Sequence, residues 1–173
     1  MNILTRLGLI KVFVFDMDGV LTDGGLHIQQ DGQWLRRMDI KDGYALQLAV
    51  KQGYKIVIVS GSESQPVADR LNKLGISEVF MKVNDKESFL QNYIETHRYQ
   101  PEEVLFMGDD IPDYACMQLG YFACCPSDAV AEIRQISSYI SSKPGGGGCV
   151  RDILEKVLKL NNKWPLHTTV PAT

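Results

Sequence analysis

Short, uninterrupted apolar runs recur along the chain, and each ends at small or polar residues. The clearest are Val12 to Phe15, Ile56 to Val59 and Leu105 to Met107, with shorter ones at 79–81 and 122–124. Apolar runs without alternation are typical of strands in parallel sheets, because both faces of such a sheet are buried. The pattern therefore predicts several buried parallel strands.

Helical periodicity fills the stretches between these runs. The predicted helices cover residues 44–52, 65–74, 86–96, 113–119 and 150–160. Alternating strands and helices favour right-handed crossovers and an open, doubly wound, Rossmann-like α/β sheet. Ligands bind such sheets beyond the carboxyl ends of the strands, so the polar residues there are expected to meet at one mouth. We predict one domain over residues 1–173, with a core at about 12–160 and a loose tail at 161–173.

Two segments interrupt the alternation. Asp31-Gly32 separates strand-like residues 26–28 and 34–38, which is a strong signal for a β-hairpin projecting after the first strand. Between Asp16 and Ser60 there is room for this hairpin and one helix, and not for a separate cap domain. The second segment is Pro144 with the four glycines that follow it, the chain's low-complexity stretch.

Composition and net charge narrow the classes of partner and the location that the protein is expected to have. The 173 residues are 45% hydrophobic with a net charge of −3, which is typical of a globular protein and argues against nucleic acid or an anionic membrane as partner. No apolar run approaches the roughly 18–20 residues of a membrane span, and no export signal is evident, so a cytoplasmic location is expected. The four cysteines lack CxxC spacing and are interpreted as reduced, mostly core thiols.

Asp16 and Asp18 place two carboxylates one residue apart where the first run gives way to a loop. Two like charges repel by about 4 kcal/mol at 4 Å and an effective dielectric constant near 20, so a cation is expected to hold them together. An EF-hand calcium loop does not fit, because Val20, Leu21 and His27 stand where a ligand, a glycine and a glutamate are needed.

A second acidic group, Asp109, Asp110 and Asp113, follows the third run. Capping of the next helix accounts for one aspartate, not three. Oxygen ligands without nearby histidine or cysteine suit Mg²⁺, which combines a few carboxylates with water and phosphate oxygens. The two acidic groups together predict a magnesium site.

Ser60-Gly61-Ser62 ends the middle strand and is predicted to open a helix, where its hydroxyls and backbone N–H groups can bind a phosphate. A serine nucleophile is disfavoured, since the first glycine of a nucleophile elbow and a triad histidine are missing. Lys86, at the start of the next helix, can bring a positive charge to the same mouth.

These segments, in this order, resemble the motifs of the haloacid dehalogenase-like phosphohydrolases. The match is closest to the 3-deoxy-D-manno-octulosonate 8-phosphate phosphatases, and it also includes the hairpin, residues 39–43 and the glycine-rich segment before Arg151. The resemblance implies that Asp16 is a nucleophile forming an aspartyl-phosphate and that Asp18 is an acid and then a base. It implies Mg²⁺ held by Asp16, the Asp18 carbonyl and Asp109, with Asp110 and Asp113 nearby.

The resemblance also implies the contacts to substrate. Ser60 and Lys86 would bind phosphoryl oxygens, and a small-molecule acid-sugar phosphate would be the substrate. The full set of expected substrate-binding residues is Asp18, Asp39, Ile40, Lys41, Asp42, Gly43, Gly61, Ser62, Arg70 and Lys86. A homotetramer formed through the hairpin would close the active site, and Gly145 to Arg151 would reach an adjoining site or serve only as a flexible linker.

Several alternatives stay open. Octulosonate enzymes commonly have arginine at the positions of Ser62 and Gln47, so a nine-carbon acid sugar 9-phosphate, of the KDN or N-acylneuraminate type, is the second substrate candidate. A non-catalytic magnesium-binding module that assembles with a sugar-nucleotide transferase is a candidate of another class. A phosphotransferase or mutase is a third candidate.

Overall fold

The computed structural model describes residues 2–167 and 169–171. The strands are β1 (Val12–Phe15), β2 (His27–Ile28), β3 (Trp34–Leu35), β4 (Lys55–Val59), β5 (Glu78–Phe80), β6 (Val104–Met107), β7 (Phe122–Cys125) and β8 (Tyr139–Ile140). The α-helices are α1 (Ile3–Gly8), α2 (Ile40–Lys51), α3 (Gln65–Lys73), α4 (Lys86–Thr96), α5 (Tyr114–Met117), α6 (Ala131–Ile136) and α7 (Cys149–Leu160). Among the described residues, no helix combines the length and the apolar character needed to cross a bilayer.

Six strands form one parallel sheet in the order β5-β4-β1-β6-β7-β8, while β2 and β3 pair only with each other as an antiparallel hairpin. The predicted doubly wound α/β fold with a projecting hairpin is confirmed. Strand β1 lies at the centre, and the chain first adds β4 and β5 on one side and then β6, β7 and β8 on the other. The chain order therefore reverses beside β1, between β1 and β6.

Both faces of the central strands are buried, which explains the uninterrupted apolar runs. In β1, Phe13 and Phe15 pack with Leu46 of α2 and Ile153 of α7 on one face. The alternate β1 residues, 12 and 14, belong to a second core that includes residues of α4, α5 and α6. Alternate residues of β1 thus belong to two cores, one on each face of the sheet, and helices cover both faces.

The helix predicted at 44–52 begins earlier, at Ile40. Asp39 is its N-cap, and its carboxylate accepts the backbone N–H of Lys41 at 2.6 Å. A capped first turn stabilises the helix start, so Asp42 and Gly43 lie inside the helix instead of opening it. The sequence pattern also missed α1, α6 and the short edge strand β8.

The segment predicted as a loose tail packs against the rest of the chain at two points, so that prediction is wrong for Trp164 and Val170. Trp164 packs edge-on against Tyr44, with ring centroids 6.1 Å apart, and the guanidinium of Arg151 lies 5.3 Å from the centroid of the Trp164 ring. Val170 is also buried in the main core. The other predicted tail residues 168, 172 and 173 lie outside the described part of the chain.

Candidate active site

Three strand ends meet at one cavity of about 340 Å³, which we call the acidic cavity. Asp16 follows β1, Ser60 follows β4 and Asp109 follows β6 after one glycine. The remaining lining residues are Asp18, Gly24, Gly61, Ser62, Lys86, Asp110, Pro112 and Asp113. The cavity lies where the strand order reverses, the position at which open α/β sheets bind ligands.

Two glycines allow the acidic groups to approach each other. Gly19 has φ +90, and a Cβ built there would stand 2.0 Å from the Oδ2 atom of Asp109. A Cβ on Gly108 would stand 2.5 Å from Asp113. A side chain at either position would displace a carboxylate, so the loops after β1 and β6 can come this close only with glycine.

Asp16, Asp109 and Asp113 form the acidic cluster, with one carboxylate oxygen of each within 4.8 Å of the others. Burial, and then the charge of Asp113, raises the pKa of Asp16 to about 7. Burial, followed by the charges of Asp16 and Asp113, raises the pKa of Asp109 to about 8. Desolvation and mutual repulsion therefore oppose ionisation of the cluster, which a bound cation would favour.

Lys86, the first residue of α4, is the cation of the cluster. Its Nζ atom donates to the Oδ1 atom of Asp16 at 2.6 Å and to the Oδ1 atom of Asp113 at 2.7 Å, and all three side chains are buried. Burial alone would lower the pKa of Lys86, but the charges of Asp113 and Asp16 raise it above its usual value. The lysine is held as an ammonium ion beside Asp16.

The donor set fits a hard divalent cation. The cluster offers only carboxylate oxygens, the ligands that Mg²⁺ prefers. When all three carboxylates are ionised, their charge exceeds that of the one ammonium by two, which a divalent ion would neutralise. Asp16 and Asp109, two of the expected Mg²⁺ ligands, lie in this cluster, and so does Asp113, which was expected only nearby. Coordination by the Asp18 carbonyl stays a prediction. Asp110 turns to cap Ile111, whose backbone N–H its Oδ1 atom accepts at 2.7 Å.

The Asp18 carboxylate has partners outside the acidic cluster. Arg36, which follows β3, donates from Nε to Oδ1 at 2.7 Å and from Nη2 to Oδ2 at 3.1 Å. The Ser62 hydroxyl donates to Oδ2 at 2.6 Å. Burial alone would raise the pKa of Asp18, but the hydrogen bonds from Arg36 and Ser62 hold it below its usual value.

Ser60 and Ser62 lie in a loop rather than at a helix start. The Ser60 hydroxyl, which is buried, accepts the backbone N–H of Ser62 at 3.2 Å. Helix α3 begins only at Gln65, so the expected phosphate site at a helix N-terminus is wrong in that detail. Ser60, Gly61 and Ser62 nevertheless line the acidic cavity together with Lys86.

The predicted sugar contacts lie outside the acidic cavity. Ile40 and Lys41 line a separate cavity of about 330 Å³ beside Arg151 and Trp164. Arg70 lines a third cavity, of about 270 Å³, between the hairpin and α3. One chain therefore does not bring these residues to Asp16, and their role in sugar binding stays a prediction.

Asp42 has a clear structural function. It is only 2% exposed, and its Oδ1 atom accepts the backbone N–H of Arg151, in the first turn of α7, at 2.6 Å. Burial raises its pKa to about 6. A carboxylate at a helix N-terminus satisfies N–H groups that would otherwise lack partners, so Asp42 ties α2 to α7 and does not face the cavity.

The glycine-rich segment packs against its own chain. Gly146 donates its N–H to the carbonyl of Val20 at 3.0 Å. A Cβ on Gly145 would stand 1.9 Å from the carbonyl oxygen of Gly19, and one on Gly146 would stand 2.4 Å from the backbone nitrogen of Asp23. Gly145 and Gly146 therefore support the loop after Asp16 and are not a flexible linker. The expectation that the segment reaches a neighbouring site stays a prediction.

Comparisons with known proteins agree with this geometry. No protein-family model matches the chain. A curated 3-deoxy-D-manno-octulosonate 8-phosphate phosphatase from Yersinia pestis is 26% identical, over 94% of this chain and 87% of the relative. A solved HAD superfamily (subfamily III A) hydrolase from Legionella pneumophila is 31% identical with a TM-score of 0.88, covering 92% of this chain and 88% of that one.

A solved 3-deoxy-D-manno-octulosonate 8-phosphate phosphatase from Moraxella catarrhalis is 30% identical, with a TM-score of 0.88 and 92% of each chain covered. The chain belongs to this phosphatase family, within the haloacid dehalogenase superfamily. The Moraxella structure holds a magnesium ion, a phosphate ion and a KDO molecule.

Two residues of this phosphatase site were missed by the sequence analysis. Arg36 comes from the hairpin, whose alternation shows which residues form strands but not that one arginine folds back onto Asp18. Thr22 is fully buried, and its hydroxyl accepts the N–H groups of Gly19 and Gly24 at 3.3 Å each. The position of Thr22 shortly after the Asp-x-Asp-Gly loop is a weak sequence signal for this role, because threonine hydroxyls often form hydrogen bonds with nearby backbone groups.

Proposed function

We propose that this phosphatase hydrolyses 3-deoxy-D-manno-octulosonate 8-phosphate through an aspartyl-phosphate on Asp16, with magnesium as its cofactor. The observation that carries the proposal is the position of Asp16, which shares one cavity with two further cluster carboxylates, a buried ammonium and Asp18. Relatives of this family include a structure with magnesium, phosphate and KDO bound, which supports both the cofactor and the sugar.

Asp16 is proposed as the nucleophile. One of its oxygens attacks phosphorus, the bond from phosphorus to the sugar oxygen breaks, and an acyl phosphate forms. Attack needs the carboxylate ionised, and Lys86, 2.6 Å away, favours that form against burial. Asp16, Asp109 and Asp113 would hold Mg²⁺, which would neutralise charge on the incoming phosphate and lower the proton affinity of these carboxylates.

Asp18 is proposed as the acid and then the base. It donates a proton to the departing sugar oxygen, which requires that the incoming phosphate dianion raise its pKa above the value that Arg36 and Ser62 set in the free site. It later removes a proton from the water that hydrolyses the acyl phosphate. Asp18 lines the cavity two residues after the nucleophile, and about a third of its side chain is exposed, so a bound leaving group can reach it.

Ser60 and Lys86 are proposed to bind the transferring phosphoryl group. Phosphoryl transfer depends mainly on positioning and on stabilising the charge spread over the equatorial oxygens. The Ser60 hydroxyl and the Lys86 ammonium line the cavity and are held in place by hydrogen bonds, so they cost little reorganisation during the reaction.

The sugar is tested by a panel of sugar phosphates compared by kcat/KM with Mg²⁺ present. We expect the eight-carbon ulosonate 8-phosphate to exceed nine-carbon acid sugar 9-phosphates by about tenfold or more, since even one misplaced group in a specific pocket costs about 1–3 kcal/mol. A preference for a nine-carbon substrate would replace the substrate assignment and leave the phosphatase mechanism in place. No turnover of any phosphate ester would instead favour the non-catalytic module.

We also propose a homotetramer that closes the active site. Between β1 and β4 the chain forms a short turn, the hairpin and α2, and no separate cap domain among the described residues covers the acidic cavity. The hairpin exposes large apolar side chains, with Ile28 71% and Trp34 56% exposed, and Ile40 is 61% exposed beside it. Apolar groups clustered on a projecting element are typical of an interface.

A cytoplasmic location stays a prediction.

The assembly is tested by sedimentation velocity at several protein concentrations. We expect a tetramer for the parent and smaller species for Trp34→Asp, because a charge on the hairpin opposes burial of that face. Activity per chain should fall as the tetramer dissociates. A fully active monomer would contradict closure of the site by neighbouring subunits.

A further inference from the structure

Arg36 is buried although the hairpin that carries it is exposed. The strands β2 and β3 are exposed throughout, and Arg37, the next residue, has a side chain 70% exposed. The Arg36 side chain is 3% exposed. Burying a guanidinium is costly unless its N–H groups have hydrogen-bond acceptors, so the buried Arg36 side chain is expected to make specific hydrogen bonds.

Those contacts converge on one carboxylate. Arg36 donates to both oxygens of Asp18, at 2.7 and 3.1 Å, and its Nη2 atom lies 3.4 Å from the Ser62 hydroxyl. Ser62 itself donates to Asp18 at 2.6 Å. A planar guanidinium that bonds both oxygens fixes the plane of the carboxylate as well as its position.

The hairpin therefore sets the orientation of a side chain that is itself about a third exposed. Without Arg36, Asp18 keeps the Ser62 hydroxyl and a 3.3 Å contact from Thr22, neither of which fixes its plane. Proton transfer depends steeply on geometry, and a misplacement of about 1 Å costs about a hundredfold in rate. An unheld Asp18 would spend much of its time turned away from the leaving oxygen.

We propose that Arg36 is a positioning residue that holds the Asp18 carboxylate in line with the departing oxygen of the substrate. The inference rests on the proposed acid function of Asp18. It assigns to the hairpin a part in the chemistry, in addition to any part in assembly. Arg36 acts through Asp18 and not through contact with the sugar or the phosphate.

The test compares kcat/KM of parent and Arg36→Met on three phosphate esters. These are the acid-sugar phosphate, a simple alkyl phosphate without a carboxylate, and an aryl phosphate whose leaving group needs no proton. We expect a fall of about a hundredfold on both alkyl esters and less than about threefold on the aryl ester, because kcat/KM reports the steps up to phosphoryl transfer. Arg36→Lys has one ammonium group in place of the planar guanidinium, so its kcat/KM on the alkyl esters should lie between those of the parent and Arg36→Met.

Other outcomes overturn the inference. A fall on the acid-sugar phosphate alone would make Arg36 a sugar-binding residue, and equal falls on all three esters would make it a phosphate-binding or merely structural residue. In an Asp18→Asn background, Arg36→Met should cause no further loss on the alkyl esters, and an additive loss would contradict action through Asp18. Arg37→Met is the matched control, with kcat/KM near that of the parent.

The proposed function and this inference fail in different ways. A parent that releases no phosphate from any ester with Mg²⁺ would remove the proposed function, and the inference with it. An active parent that is unaffected by Arg36→Met would remove the inference alone.

Discussion

Replacing Asp16 by asparagine is expected to lower phosphate release by about four orders of magnitude or more, the scale seen when a covalent nucleophile is removed. An amide of the same shape cannot form the acyl phosphate. The side chain is buried beside Lys86 and Asp113, so asparagine removes one charge from a crowded cluster without opening space. Thermal unfolding should therefore occur at or above the parent temperature, which separates lost chemistry from lost folding.

The measurement is release of phosphate from an aryl phosphate at saturating Mg²⁺, with Asp69→Asn as the control. Asp69 is an exposed aspartate of α3 whose carboxylate accepts a hydrogen bond from Gln65, so the same change of charge there should leave activity unaltered. Near-parental activity of Asp16→Asn would exclude Asp16 as nucleophile. In labelled water, the label should enter the released phosphate, whereas its absence would favour the phosphotransferase or mutase.

The strand ends of the site could be predicted because they depend on local pattern and topology together. Apolar runs buried on both faces identify β1, β4 and β6, and parallel strands bring their carboxyl ends to one edge. Asp16, Ser60 and Asp109 therefore meet in the acidic cavity as the sequence indicated. This part of the site depends on the order of elements along the chain and not on individual side-chain contacts.

Contacts between distant segments could not be predicted from periodicity. The pairing of Arg36 with Asp18 depends on how the hairpin folds back, and the burial of Asp42 depends on where α7 begins. Gly145 and Gly146 appeared as a low-complexity stretch, yet each is required by a backbone approach that only three-dimensional packing creates. In all three cases the decisive neighbour is far along the chain.

Removing divalent cations with a chelator is expected to abolish turnover, and Mg²⁺ is expected to stabilise the fold more at pH 8 than at pH 6. In the folded protein the pKa of Asp16 is about 7 and that of Asp109 about 8, whereas unfolded aspartates titrate near 4. Folding raises the pKa of both carboxyl groups, so between about pH 4 and pH 8 the folded state binds more protons than the unfolded state. Without metal, stability therefore decreases as the pH rises from about 4 to about 8.

Mg²⁺ must displace those protons to bind the carboxylates, so its affinity should rise by about two orders of magnitude between pH 6 and pH 8 and level off above that range. The measurement is the shift in unfolding temperature on adding Mg²⁺, taken at several pH values. Asp109→Asn removes one of the two titrating groups and should reduce both the shift and its pH dependence. A shift that is equal at pH 6 and pH 8, or full activity with chelator present, would contradict a metal bound at this cluster.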